Sequence, residues 1–349
     1  MTAARFKVGL LATAVSATLV GAVQAQNNSA DDKVLNLYSA RHYQGDERLY
    51  NDFTRQTGIK INRVELKDQP LLERLKSEGD KSPADVILLV DASRLYHAQQ
   101  EGLFQPVQSK TLDERIPAEF RAQDGSWYGL SNRARVIVYN KDTVDPKDVM
   151  TYESLADPKN KGKVCTRSGS HPYNLSLFGS MIEHDGLEKT EKVLKGYVDN
   201  QARTPKGGDT DQIKAVASGE CGVALTNSYY LARMMRSDKP EDKVAVARIG
   251  MVWPNQATTG THMNLAGGAV AAHAPHRDNA IRFLEYLSSD QAQKYFADGN
   301  NEWPIVKSVK VPNPALDALG SFKMDSVSTD RMAAQAVEAQ KLLDKVGYK

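Results

Sequence analysis

Two cysteines, Cys165 and Cys221, are all that the 349 residues contain. No paired-Cys motif and no His-Glu-x-x-His run is present, so zinc has no ready ligand set. The chain also lacks a Gly-x-Ser-x-Gly elbow, a phosphate loop and a dinucleotide fingerprint, which leaves the commonest catalytic signatures unfilled. Excess positive charge is missing as well. The first 25 residues hold Arg5 and Lys7 and no acid, so without them the formal charge falls from +2 to zero. With no basic cluster either, the chain is a poor nucleic-acid binder and carries no polybasic membrane patch. No solenoid repeat and no low-complexity tract is visible.

What is present begins with an export signal. Arg5 and Lys7 precede an apolar, small-residue run from Val8 to Val23, closing on Val23-Gln24-Ala25, a cleavage pattern before Gln26. The expectation is a signal peptide over residues 1–25 and a periplasmic mature protein. Every later apolar run is interrupted by Lys, Arg, Asp or Glu, so no membrane span is expected after it. In an exported chain an even cysteine count points to one disulfide.

The remaining length exceeds what one compact core usually holds, so two lobes are expected. Strands are predicted at 34–38, 59–66 and 85–90, alternating with helices at 46–57, 71–78 and 93–101, the pattern of a parallel α/β lobe. Residues 127–130 and 135–140 read as paired strands. The pattern then restarts: strands at 163–166, 221–226, 244–253 and 266–272, with helices at 175–183, 189–198, 212–218, 279–287, 292–296 and 331–346. Extended segments near 131–136 and 255–262 join the units. The resulting fold class is α/β and two-lobed, each lobe a mainly parallel sheet with flanking helices and a cleft between them, the default place for a ligand.

Three motifs follow directly on predicted strands: Ser39-Ala40-Arg41-His42-Tyr43, Ser168-Gly169-Ser170-His171-Pro172-Tyr173 and Thr226-Asn227-Ser228-Tyr229-Tyr230. In open parallel sheets ligands sit beyond the carboxyl ends of the strands. A lone tyrosine is more often a packing residue, and with 14 tyrosines an adjacent pair arises by chance in roughly one chain of two or three. Three strand-end loops in one two-lobed chain are more telling. Adjacent helical residues diverge by about 100°, so Tyr229 and Tyr230 are expected to serve one ion only at a strand-to-helix junction.

Across essentially the whole mature chain, the sequence resembles the ferric-ion-binding periplasmic proteins of bacterial iron ABC transporters, within the type II binding-protein fold. The stretches that carry the resemblance are Leu37 to Tyr43, Ser131 to Val136, Arg167 to Ser170 and Asn227 to Leu231. The resemblance is strongest to a tyrosine-rich subgroup. It implies Fe(III) held by His42, Tyr43, Tyr173, Tyr229 and Tyr230, delivery to an inner-membrane ABC permease and its ATPase, a monomer, and no enzymatic activity. It implies a first lobe over 33–135 and 260–308, and a second over 136–259 and 309–349. A synergistic anion such as carbonate is a weaker implication, at Ser168, Gly169, Ser170 and Asn227, with Arg133 and then Arg135 as counter-charges. Trp303 departs from the family pattern, where tyrosine is expected. If the second lobe has the 2-1-3 strand order, Cys165 and Cys221 lie on neighbouring strands, close enough for a disulfide.

Hard Fe(III) suits phenolate oxygen. A polyamine, thiamine or oxyanion site would instead need carboxylates, stacked aromatics or a donor-only pocket. Zinc or ferrous iron through His42 lacks supporting ligands. Ser39, Ser168 or Ser170 beside His42 or His171 could be imagined as a nucleophile, but no third member fixes such a pair.

Overall fold

The computed structural model describes residues 1–2, 33–41, 43 and 45–349. The expected signal peptide, beyond its first two residues, and the expected ligand His42 lie outside the described residues.

Ten strands are present among the described residues: β1 (Val34–Ser39), β2 (Lys60–Glu65), β3 (Val86–Leu89), β4 (Phe104–Gln105), β5 (Tyr128–Asn140), β6 (Val164–Cys165), β7 (Val223–Asn227), β8 (Ile249–Val252), β9 (Met263–Ala271) and β10 (Trp303–Pro304). They connect in the order β2-β1-β3-β9-β5-β7-β6, with β4 on β9 and both β8 and β10 on β5. The apolar run Val86-Ile87-Leu88-Leu89 is fully buried: β1 in parallel and β9 antiparallel flank its edges, and helix side chains such as Leu95 and Phe283 share its apolar core. One apolar core gathers β1, β3, the first half of β5 and β9 with their helices. Separate clusters gather the second half of β5, β6 to β8 and the helices Pro172–Asp199 and Ala336–Val346.

The two strands expected at 127–130 and 135–140 are one continuous strand. β5 pairs with β9 through Ala134, with β7 from Arg135 and with β8 from Ile137 onward. Ser131, Asn132 and Arg133 read as a polar break in the sequence, yet all three are buried in the strand that crosses between the lobes. The sheets are therefore mixed rather than mainly parallel: β5 carries the chain outward and β9 brings it back, so the two must run in opposite senses. Only the β1–β2, β1–β3 and β6–β7 pairs among the described strands are parallel.

The strand expected over 244–253 is half helix. Pro240 opens a helix to Arg248, with Glu241 and Asp242 in its first turn and Arg248 in its last, and β8 follows. Proline at the start and charges matched to the helix dipole outweigh the β-branched Val244 and Val246. The closing helix likewise divides at Gln335, into Thr329–Ala334 and Ala336–Val346. The helices expected at 175–183 and 189–198 are parts of Pro172–Asp199, broken at Gly186, whose φ of 78° is left-handed.

β6 and β7 are parallel neighbours, and a disulfide joins Cys165 to Cys221 across a Cα–Cα distance of 5.9 Å.

Candidate metal centre

Tyr43 follows the carboxyl end of β1, Tyr173 lies at the start of the helix that follows β6, and Tyr229 and Tyr230 sit in the first turn of the helix Ser228–Met235 that follows β7. Their elements bring the rings together. The Tyr43 hydroxyl donates to the Tyr229 hydroxyl at 3.4 Å, and the Tyr173 and Tyr229 hydroxyls are 3.1 Å apart. Tyr43 and Tyr229 meet edge to face at 6.1 Å, while the Tyr229 and Tyr230 rings stack with centroids 4.3 Å apart. Tyr43, Tyr173 and Tyr230 line one cleft of about 480 Å³. Tyr43 comes from the first core's side of the cleft and the other three from the second.

Burial dominates the chemistry of these phenols. Tyr43 is pushed up to about 12, by loss of solvent first and by nearby Glu302 second, with Arg41 and Arg133 opposing. Tyr173 and Tyr229 lie well above the ordinary phenol value, again through burial first and then mutual repulsion. These three hydroxyls are therefore protonated at neutral pH until something stronger than a proton takes the oxygens.

Four guanidinium groups surround the phenols. The central carbon of Arg41 lies 4.8 Å from the Tyr43 ring centroid, that of Arg133 5.4 Å from Tyr173, that of Arg167 5.0 Å from Tyr173, and that of Arg233 4.9 Å from Tyr230. Arg133 is buried; one nitrogen donates to the Val90 carbonyl, while Nε and Nη1 have no partner among the described residues. A buried cation with unspent donors beside several phenols is placed to offset negative charge there.

Arg135 does something else. It pairs with Asp209 at 2.7 Å and donates to the side-chain oxygens of Asn227 at 3.1 Å and Asn174 at 3.0 Å. Asp209 also accepts the Asn227 backbone N–H at 2.7 Å, fastening the strand end just before Tyr229. Burial raises the Asp209 carboxyl, but Arg135 and Arg167 outweigh it and hold the group below its ordinary value. Arg135 thus braces the second lobe rather than facing the phenols.

Of the residues expected to cradle an anion, Ser168, Gly169 and Ser170 are engaged elsewhere, whereas the Nδ2 of Asn227 is buried with no partner among the described residues. The Gly169 N–H donates to the Lys349 carbonyl at 2.8 Å, and Ser168 and Ser170 pair with each other at 3.0 Å, with Ser170 exposed. Asn227 gives its oxygen to Arg135. His171 lines the cleft, but its Nδ1 accepts the Tyr173 N–H at 3.2 Å, so the neutral ring carries its proton on Nε2. It can donate to an anion and is not free to ligate through that nitrogen. Burial first, then Arg167, lowers it to about 3.

Sequence reasoning missed Arg41, Glu302, Arg167, Arg233 and Asp209. Arg41 and Arg167 stand inside the motifs already singled out, so proximity in the chain was the available signal. Glu302 and Asp209 had none, because their partners are 261 and 74 residues away.

Comparison with known proteins follows the same lines. Residues 48–320 match the model of a family described as bacterial extracellular solute-binding proteins. The chain is 46% identical over 319 residues to iron uptake protein A1 of Synechocystis, covering 91% of this chain and 88% of that one. It is 26% identical over 338 residues to the major ferric iron-binding protein of Neisseria meningitidis, covering 95% and 98%. Among solved structures, a Trichodesmium FutA (IdiA) in complex with iron and citrate ligands superposes with a TM-score of 0.85 at 50% identity, covering 90% of this chain and all of that one (100%). The ferric binding protein from Campylobacter jejuni gives 0.87 at 39% identity, with 90% and 100% coverage.

Proposed function

This chain belongs to the bacterial extracellular solute-binding protein family, and from that premise we propose that it captures Fe(III) between its lobes and delivers it to an ABC permease. The proposed ligands are the phenolates of Tyr43, Tyr173, Tyr229 and Tyr230, with His42 as the fifth. The observation that carries this reading is that the Tyr43 and Tyr173 hydroxyls, from opposite sides of the cleft, both meet the Tyr229 hydroxyl, at 3.4 Å and 3.1 Å. The relatives with iron names add weight to it.

The chemistry runs from acid–base balance. A small trivalent cation is hard and draws charged oxygen donors, and it lowers the pKa of the phenols it touches. Each phenolate formed expels a proton. Four phenolates leave the site with net negative charge, which Arg133 offsets at Tyr173, aided by Arg167 and Arg233. Five protein ligands leave one position of a six-coordinate shell, which fits water or a small anion such as carbonate. Arg133 and the Nε2–H of His171 are its natural donors, in place of Ser168, Gly169 and Ser170.

Closure supplies the transport logic. An ion that contacts ligands from both lobes binds the closed form far better than the open one, so it shifts the population toward the shape a permease would accept. The lobes are proposed to divide at residues 135/136, 259/260 and 308/309. The protein acts outside the inner membrane as a monomer, with the permease and its ATPase as partners and no catalytic turnover of its own.

The test is a titration of mature apo-protein with a ferric chelate, following the visible band and the protons released. An orange-red phenolate-to-iron band with proton release is expected. A protein that stays colourless would overturn the reading.

A further inference from the structure

We propose that Arg41 is a positioning residue for Tyr43, holding the member of the described phenol cluster that comes from the first lobe's side where iron needs it. This rests on the phenolate reading above. Tyr43 lies in a loop between β1 and the helix Asp46–Thr57, with no ladder to fix it. A ligand side chain on a loop needs support from rigid elements to hold its geometry within a fraction of an ångström.

The support visible here is a clamped guanidinium. Arg41 is buried, and its Nε and Nη2 bind both oxygens of Asp46 at 2.8 Å and 3.2 Å. Nη2 also reaches Glu302 at 3.3 Å. Each carboxylate is itself tied down: Asp46 accepts from Asn300 at 2.8 Å, and Glu302 accepts from Ser131 of β5 at 3.0 Å. The rings of Tyr43 and Phe296 lie 4.8 Å and 4.9 Å from the guanidinium carbon. The Tyr43 ring therefore rests on a planar cation anchored to three separate elements: the helix Asp46–Thr57, β5 and the end of the helix Asp290–Asn300. Stacking of this kind strengthens when the ring carries a phenolate, because the cation faces a more negative π-system. Lysine would keep the charge but not the planar, two-pronged hold.

The experiment compares wild type, Arg41→Lys, Tyr43→Phe and the double variant, each checked by circular dichroism and thermal unfolding and then titrated with ferric nitrilotriacetate. Arg41→Lys is expected to weaken iron binding by about tenfold to a hundredfold and to alter the phenolate-to-iron band. In the Tyr43→Phe background the same change should add nothing to either readout, because its effect passes through the Tyr43 oxygen. Unchanged affinity and band in Arg41→Lys overturns the proposal. So does an Arg41→Lys loss that is equally large with and without the Tyr43 hydroxyl, since that marks a general structural role. Should Arg41→Lys fail to fold, Asp46→Asn loosens the two-pronged hold on Arg41 and keeps its shape. A band shift in that variant supports the proposal and a wild-type spectrum sinks it. A colourless wild type overturns the metal reading first; a coloured wild type beside an indifferent Arg41 removes only the inference drawn here.

Discussion

The Tyr229 hydroxyl is touched by both Tyr43 and Tyr173, which makes it the hub of the phenol cluster. Tyr229→Phe removes one oxygen and leaves the ring stack with Tyr230 in place, so the fold should survive while the colour is largely lost. A fall in iron affinity of more than about a hundredfold is expected in competition with a chelator. Trp303→Tyr, in a cluster with Trp253 and Phe322, should leave the iron spectrum as it is. Acid should weaken iron binding too, because protonated phenols must surrender protons to the metal: about tenfold per pH unit for each proton expelled. A different pH effect belongs to the empty protein. Burial lowers His262 from 6.5 to about 4, with Arg135 and Arg133 adding to it and Asp325 and Asp91 opposing. The folded state thus keeps this ring neutral where the unfolded chain protonates it. Stability from this group is present above pH 6.5 and is lost as pH falls toward about 4. Denaturant midpoints of the apo-protein at pH 7, 5 and 4 should fall in that order, and His262→Gln should flatten the decline.

At the scale of elements, the strand ends matter most. β6 and β7 deliver Tyr173, Tyr229 and Tyr230, and the disulfide ties Cys165 at the end of β6 to Cys221 just before β7. The bond spans a sequence separation of 56, which in the chain-entropy account corresponds to about 4 kcal/mol of unfolded-state restriction. Replacing both cysteines by serine should lower apo stability by up to about that amount, measured by urea unfolding. Cα spacing between β6 and β7 is also set by backbone pairing, so the iron spectrum should persist in the folded fraction. Asp209 is the second brace, joining Arg135 of β5 to the backbone of Asn227 at the end of β7.

For the whole molecule the proposed function turns on the balance between open and closed lobes. Besides the Tyr43–Tyr229 contact, the Ser176 hydroxyl of the second lobe donates to Asp91 of the first at 2.8 Å, deep in the interface. Asp91 also accepts from Ser93 and Asn264, so it keeps partners when the lobes part. Ser176→Ala deletes only the cross-lobe bond, worth about 1 kcal/mol net. The variant should shift the apo-protein toward a larger radius of gyration in small-angle scattering. Its iron affinity should fall by about fivefold with the visible band unchanged. A scattering curve identical to wild type would show that this bond has no part in closure.

Most of the α/β alternation was legible in the sequence because hydrophobic periodicity and end signals are local: β3, the helix Asp46–Thr57 stopped by Gly58 and the break at Gly186 all announce themselves within a few residues. The choice of chemistry came instead from the resemblance to ferric-ion-binding proteins, carried by tyrosine-bearing motifs after three strands; those motifs without the resemblance name no ion. Only the tertiary structure decided that β5 runs unbroken between lobes, because the partners that make Ser131 and Arg133 tolerable in a buried strand lie far away in sequence: Glu302 and the Val90 carbonyl. Only it separated the two arginines of β5, two residues apart in one strand, sending Arg133 to Tyr173 and Arg135 to Asp209. Charge pairing in a buried site is a property of positions in space, and a linear pattern records which groups exist without recording which of them meet.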